Sequence, residues 1–96
     1  METALIPLGT GRVAIIDAAD YERANRYAWH YRERGQHEPC VYRHVLCTDY
    51  GYQWHTQTLP AFILGLWPHA PVRFKDGDCL NCTRANLIAS DAPQGL

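Results

Sequence analysis

The sequence lacks an excess of either charge and any long apolar run. Nine arginines and lysines stand against ten aspartates and glutamates, which gives a net charge of −1. A protein that holds nucleic acid mainly through its phosphates normally carries a clear positive charge, so the composition argues against that class. No stretch approaches the roughly 20 apolar residues of a membrane-spanning helix. The start METALIPLG also lacks the features of a signal peptide. We therefore predict a cytoplasmic protein without membrane contact.

Lysine is scarce as well, because eight of the nine cations are arginine. Arginine suits planar, bidentate contacts to phosphate, base or carboxylate better than lysine does. Repeats and low-complexity segments are missing, whereas apolar residues are plentiful: they make up 47% of the chain, with three Trp, six Tyr and two Phe. Such a composition is too apolar for a disordered chain. A length of 96 residues predicts one domain, 1–96, with little stability to spare.

The first part of the chain, residues 5–58, is predicted to be a small antiparallel sheet with one helix. A turn at 9–11 precedes a strand at 12–16, which is rich in β-branched residues. Asp17 or Asp20 is expected to cap a helix that runs to about His30. Strands at 40–48 and 52–58 are expected to pair through a hairpin turn with Gly51 at its end.

The second part, residues 59–90, is predicted to contain two short helices and a strand. Pro60 lies in the first turn of the helix predicted at 59–66, and Gly65 ends it. A strand at 72–74 and a loop at 75–78 then lead to a final helix at about 80–89. The fold class is therefore α+β: a small antiparallel sheet with one helix, followed by a strand–loop–helix segment.

The segment VRFKDGDCLNCTRANL, residues 72–87, resembles the ββα-metal motif of the HNH endonucleases of phages and mobile elements. That family's motif reads D-H-x-N-G-D-x-L-D-N-R-x-x-N-L and lies over residues 73–87 without a gap. The start IPLGTGRVAIID and the later LPAFILG also resemble segments of the family, so the resemblance covers residues 5–90. The motif positions that match outright are Gly77, Asp78, Leu80, Asn86 and Leu87.

The departures from the motif lie where the family's chemistry occurs. The resemblance implies a metal ligand, a general base, a residue that orients the base and a second metal-site residue at four positions. This chain has Arg73, Phe74, Cys82 and Asn86 there, and only the last is intact. Phe74 cannot accept a proton, and Arg73 puts a cation where a hard metal needs a carboxylate. We therefore predict a catalytically degenerate member. His55 or His69 is the candidate for a rebuilt general base.

Four cysteines leave the metal question open at this level. Cys79 and Cys82 form a C-x-x-C pair, and Cys40 and Cys47 could complete a Cys₄ zinc site. Cys40 and Cys47 are seven residues apart on one predicted strand, so they should point to opposite faces. We expect four reduced cysteines and no cofactor, with zinc and disulfides as the alternatives. His44 or His55 could replace one thiol in a zinc site.

Three functions remain open. The first is a nuclease-inactive HNH-like protein that binds a protein partner, in the concrete form of a phage-encoded inhibitor of a host defence complex (anti-CRISPR type). The second is a nucleic-acid-binding protein that keeps the family's DNA-facing surface. The third is an active metal-dependent endonuclease with unusual ligands. Tyr and Trp are enriched at protein interfaces, and the hairpin region supplies Tyr42, Tyr50, Tyr52, Trp54 and Trp67. The predicted binding residues are Arg43, Trp54, Arg73, Lys75 and Arg84.

Overall fold

The computed structural model describes residues 2–9, 11–32, 40–48, 51–68 and 70–89. Within them lie three small antiparallel sheets and short helices, which confirms the α+β class. No helix in the described part is long and apolar enough to cross a membrane. The elements in chain order are β1 (Thr3–Pro7), β2 (Val13–Asp17), a 3₁₀ turn (Ala18–Asp20), α1 (Tyr21–Ala24), β3 (His30–Tyr31), β4 (Val41–Cys47), β5 (Gln53–Thr58), α2 (Leu59–Leu64), β6 (Val72–Phe74), a second 3₁₀ turn (Arg84–Asn86) and β7 (Leu87–Ala89).

β1 and β2 form a hairpin that supplies one side of the core. The predicted turn is confirmed at Gly9 and Gly11, whose φ angles of 81° and 83° suit glycine. The predicted strand is confirmed as β2, while the sequence prediction missed β1. Alternate residues of both strands are buried, as expected for a sheet with one covered face. Those residues include Ile6, Ala14 and Ile16.

The predicted strands around the second hairpin are confirmed as β4 and β5, and β3 adds a short third strand beside β4. The β4–β5 register runs from Tyr42 opposite Thr58 to Cys47 opposite Gln53. β3 reaches only His30 and Tyr31, which pair with Tyr42 and Val41. The far half of β4–β5 is therefore a two-stranded ribbon within the described part of the chain.

The first predicted helix is much shorter than expected, because α1 ends at Ala24 and not near His30. The indole N–H of buried Trp29 donates to the Ala24 carbonyl at 2.9 Å. That carbonyl is one that a longer helix would have used internally. Neither Asp17 nor Asp20 caps a helix through its side chain, so that prediction was also wrong.

The helix predicted at 59–66 is confirmed as α2. Thr58 Oγ1 accepts the Ala61 N–H at 3.3 Å, and Gly65 ends the helix with a φ of 72°. The final helix predicted at 80–89 was wrong, because the chain there forms a 3₁₀ turn and then β7. β7 pairs antiparallel with β6, with Phe74 opposite Leu87. This pairing satisfies backbone groups of β6 that a helix would leave without partners.

Residues from both predicted parts share one core. The largest fully buried side chains are Ile16, Val41, Leu59, Ile63 and Cys82. β2 also holds the segment after β6 directly, since the Ile15 N–H donates to the Leu80 carbonyl at 2.8 Å and the Ile15 carbonyl accepts the Cys82 N–H at 2.7 Å.

Candidate functional site

The loop between β6 and β7 is held together by Asp76 and Asn86. Asp76 Oδ1 accepts the Asp78 N–H at 2.8 Å and Asn86 Nδ2–H at 2.9 Å, while Asn81 Nδ2–H donates to Asp76 Oδ2 at 3.0 Å. Asn86 Oδ1 accepts the Asp76 N–H at 3.1 Å, and its Nδ2 also donates to the Asn81 carbonyl at 2.8 Å. The Asp78 N–H is the main cause of a lowered Asp76 pKa, with help from Asn81 and Asn86. Asn86 therefore organises the loop.

The other three positions of the motif have different surroundings. Arg73 is exposed and lies opposite Ile88 on the β6–β7 pair. Phe74 packs against the core. Cys82 is fully buried, and its burial, together with the charge of Asp78, raises the pKa of the thiol to about 12. None of these three side chains has the surroundings of a group that activates water. The loss of catalysis stays a prediction.

Asn86→Ala is expected to lower the free energy of unfolding by about 2 kcal/mol, because it removes the three hydrogen bonds that the buried Asn86 side chain makes to Asp76 and Asn81. Denaturant unfolding followed by circular dichroism measures this change. Asn86→Asp is expected to be worse at neutral pH, since it sets a second carboxylate beside Asp76 Oδ1. Asn25→Ala, at an exposed position after α1, is the matched control and should stay within about 0.5 kcal/mol of the wild type. Equal effects of the two Asn→Ala changes would contradict this role for Asn86.

The cysteines differ from expectation. Cys40 and Cys79 form a disulfide with their Cα atoms 6.1 Å apart, so the prediction of four reduced cysteines was wrong. A Cys₄ zinc site would need both of those sulfur atoms. Cys82 is a free, buried thiol, and the side chain of Cys47 lies outside the described part of the chain. Among the described residues, no group of three or more His, Cys, Asp or Glu side chains is placed to hold a metal ion.

Arg84, a predicted binding residue, is half exposed and forms an ion pair with the buried Asp20. Its Nε and Nη2 donate to the two carboxylate oxygens of Asp20 at 3.0 and 2.9 Å. Arg23 donates to the same carboxylate at 3.0 Å, and the Arg84 N–H donates to Asp17 at 3.2 Å. The hydrogen bond from Arg84 is the main cause of a lowered Asp20 pKa. Asp20, which is only 4% exposed, therefore occupies the Nε–Nη2 face of the Arg84 guanidinium, one of the two faces that could bind a phosphate in a bidentate manner.

Arg43, another predicted binding residue, lies over aromatic rings on the side of the sheet that faces α2. Its guanidinium carbon is 3.7 Å from the ring centre of Tyr27, 5.5 Å from that of Trp29 and 6.0 Å from that of Phe62. Burial lowers the pKa of Arg43, and its Nε is buried without a hydrogen-bond acceptor. Arg43 therefore contributes to packing on this side of the sheet.

The opposite side of the β3–β4–β5 sheet is more open, and we name it the outer face. Side chains of paired residues lie on the same side of a sheet, so the register defines this set. Tyr42 lies between His30 and His44, with ring centres 5.6 Å apart in each case. Arg32 lies over Tyr42 and donates to its hydroxyl at 3.1 Å. The outer face consists of His30, Tyr42, His44, Leu46, Trp54, Thr56 and Thr58.

The ribbon end of the outer face is apolar and exposed. Trp54 is 69% exposed and lies opposite Leu46, which is 43% exposed. Tyr52, just before β5, is 83% exposed. Of this group, sequence reasoning identified Trp54, Tyr42 and Tyr52. It missed Leu46 and the ring contact between His30 and Tyr42. The signal for Leu46 is the alternation in VYRHVLC, which places Leu46 on the same side of the strand as Tyr42 and His44.

The remaining predicted residues do not join the outer face. Lys75 is exposed in the β6–β7 loop, near Arg73 in sequence. His55 lies opposite Val45 on the side of Arg43, and its role as a rebuilt base stays a prediction. His69 and Tyr50 lie outside the described residues.

In comparisons with known proteins, no family model, no curated protein and no solved structure matches this chain. The HNH resemblance therefore rests on the motif at residues 73–87 and on the two earlier segments, and it stays a prediction.

Proposed function

We propose that the chain is a nuclease-inactive HNH-like binding protein whose outer face takes a protein partner. One observation carries this proposal: the cross-strand pair of Trp54 and Leu46 is exposed at the end of a two-stranded ribbon. Isolated two-stranded ribbons are marginal in water, and large apolar side chains gain most when they are covered. A partner that covers this pair would stabilise the ribbon and would remove the two apolar side chains from water.

The distribution of cations supports a protein partner over a phosphate backbone. Five of the eight described cations lie over aromatic rings or in an ion pair within the chain, namely Arg12, Arg23, Arg32, Arg43 and Arg84. Arg26, Arg73 and Lys75 are the other three. Few cations therefore remain to neutralise phosphates, and the net charge of −1 adds no attraction.

Two finer parts of the proposal rest on the sequence alone. The first is the concrete form of the function, inhibition of a host defence complex. The second is a cytoplasmic location. The Cys40–Cys79 disulfide weighs against the second, because disulfides persist in oxidising compartments and are rare in the cytosol.

Trp54→Ala is expected to weaken partner binding by about 2 kcal/mol, or about 30-fold in Kd, because an interface aromatic in the centre of a contact carries much of its energy. The measurement is a pull-down from host lysate treated with nuclease, followed by titration of the captured protein. Leu46→Ala should also weaken binding. Leu5→Ala, which removes a 55% exposed leucine on β1, is the matched control and should have no effect.

The same preparations are expected to leave plasmid DNA intact with Mg²⁺ or Mn²⁺ present. Metal-dependent nicking that co-purifies with the folded chain would overturn the nuclease-inactive part of the proposal. Binding that tolerates Trp54→Ala and Leu46→Ala as well as it tolerates Leu5→Ala would overturn the placement of the partner on the outer face.

A second candidate function is binding of single-stranded nucleic acid on the same face. Tyr42, flanked by His30 and His44 and covered by Arg32, offers rings on which bases can stack. No carboxylate of the described residues lies on the outer face. Capture that disappears after nuclease treatment, with an affinity that falls steeply with salt, would favour this candidate over the protein partner.

A further inference from the structure

The outer edge of β5 has backbone groups without partners. The Thr58 N–H donates at 3.0 Å to the Pro68 carbonyl, which lies outside the sheet, so the Thr58 backbone points away from β4. Backbone direction alternates along a strand, and the backbones of Trp54 and Thr56 therefore also point outward. Within the described part of the chain, the outward N–H and C=O groups of Trp54 and Thr56 make no hydrogen bond.

Within the described part of the chain, the edge at Trp54 and Thr56 lacks the usual features that block strand addition, and the segment at Pro68 reaches it only at Thr58. Natural proteins protect an exposed edge with charged side chains, proline, bulges or a covering element. The β5 sequence QWHTQT contains no Asp, Glu, Lys, Arg or Pro, and it is six residues long. Trp54 on this strand is 69% exposed. Such an edge is suited to pairing with another strand.

We propose that β5 pairs antiparallel with β5 of a second copy of this chain, with the twofold axis at His55. In this register Trp54 lies opposite Thr56 of the second copy, and the two residues exchange both backbone hydrogen bonds. Symmetry adds the same two hydrogen bonds between Thr56 and Trp54 of the second copy. The four bonds together use every outward N–H and C=O group of Trp54 and Thr56 in both copies. Registers that need the Thr58 N–H are disfavoured, because it already donates to Pro68.

Self-complementarity is what selects a second copy as the occupant. The edge needs an extended, uncharged strand with outward groups at two alternate positions, and β5 itself has that pattern. A twofold contact places the same surface on both sides. The two Trp54 rings become diagonal neighbours on the outer face, at a Cα separation of about 7–8 Å that aromatic side chains can span. No charged residue of β5 opposes its own copy.

Pairing through the edge goes beyond the proposed function, because it leaves the outer face open and joins two such faces into one. The sheet then has six strands in the order β3–β4–β5 and, from the second copy, β5–β4–β3. A protein partner would meet a surface twice as wide, with the two copies of Trp54 near its centre. A dimer of this kind presents two binding sites to a symmetric or multivalent target.

Sedimentation velocity of the full chain over a range of concentrations tests the pairing, with no binding partner present. The wild type is expected to dimerise. Thr56→Pro removes an outward N–H but no β4–β5 hydrogen bond, so it should give a folded monomer. Thr56→Lys puts a cation on the edge and should raise the dimer Kd at least about tenfold. Thr3→Lys, the same change on exposed β1, is the control and should leave the dimer intact.

Cysteine cross-linking tests the register. Residues directly opposite in a non-hydrogen-bonded antiparallel pair have Cα atoms about 4.5 Å apart, which is within disulfide reach. His55→Cys is therefore expected to give a covalent dimer on mild oxidation, and Gln57→Cys should not. A wild type that stays monomeric, or a dimer that both Thr56 variants leave intact, would overturn the pairing. Cross-linking by Gln57→Cys alone would overturn the register. If no dimer forms, capture of a protein partner through Trp54 is still a separate test of the proposed function.

Discussion

Loss of the Cys40–Cys79 disulfide is expected to lower the free energy of unfolding by about 4 kcal/mol. The bond joins residues that are 39 apart in sequence, and closing a loop of that length removes conformational entropy from the unfolded chain. A domain of this size typically has only about 5–10 kcal/mol of stability, so the loss is a large share. It also frees the loop that carries Cys79 from the start of β4.

Denaturant unfolding with and without reductant measures this contribution. The double variant Cys40→Ser with Cys79→Ser should match the reduced wild type, and reductant should leave that variant unchanged. Buried Cys82 stays in place in every sample, which keeps the core constant. If reductant leaves the stability of the wild type unchanged, the two sulfur atoms are not bonded in solution.

Asp20→Ala is expected to lower the free energy of unfolding by about 3 kcal/mol at neutral pH. The buried Asp20 carboxylate accepts hydrogen bonds from Arg84 and Arg23, which connect α1 to the 3₁₀ turn before β7. Charge-assisted hydrogen bonds each contribute roughly 1.5–3 kcal/mol, and the two arginines are half exposed, which reduces the total. Glu22→Ala, an exposed carboxylate on α1, is the matched control and should change stability by less than about 0.5 kcal/mol.

The same carboxylate predicts a pH dependence. The folded-state pKa of Asp20 lies below its usual value of 3.8, mainly because of the hydrogen bond from Arg84. Its contribution is therefore fully present above pH 3.8 and is lost as the pH falls through the lower folded pKa. Wild-type stability should decline over that acidic range more steeply than that of Asp20→Ala. Parallel declines in the two proteins would show that Asp20 is not the group responsible.

Local sequence patterns determined a large part of this fold. Gly9 and Gly11 at a turn, Pro60 and Gly65 at the ends of α2, and the alternating residues of β4 and β5 all act over a few neighbouring positions. Turn conformation, capping and sheet alternation depend on such short-range chemistry, so sequence alone predicted these elements. It also singled out Trp54, which is 69% exposed, and the binding role of this residue stays a prediction.

Tertiary contacts decided the rest, because their partners are far apart in sequence. α1 ends early since Trp29 enters the core, and residues 87–89 form a strand because β6 lies beside them. The Asp20–Arg84 pair spans 64 residues, a separation that no local pattern reports. Arg43 looked like a surface cation, yet strand alternation together with the positions of Tyr27 and Phe62 places it over aromatic rings. Spacing alone suggested that Cys79 and Cys82 act together, whereas the fold brings Cys40 to Cys79 and buries Cys82.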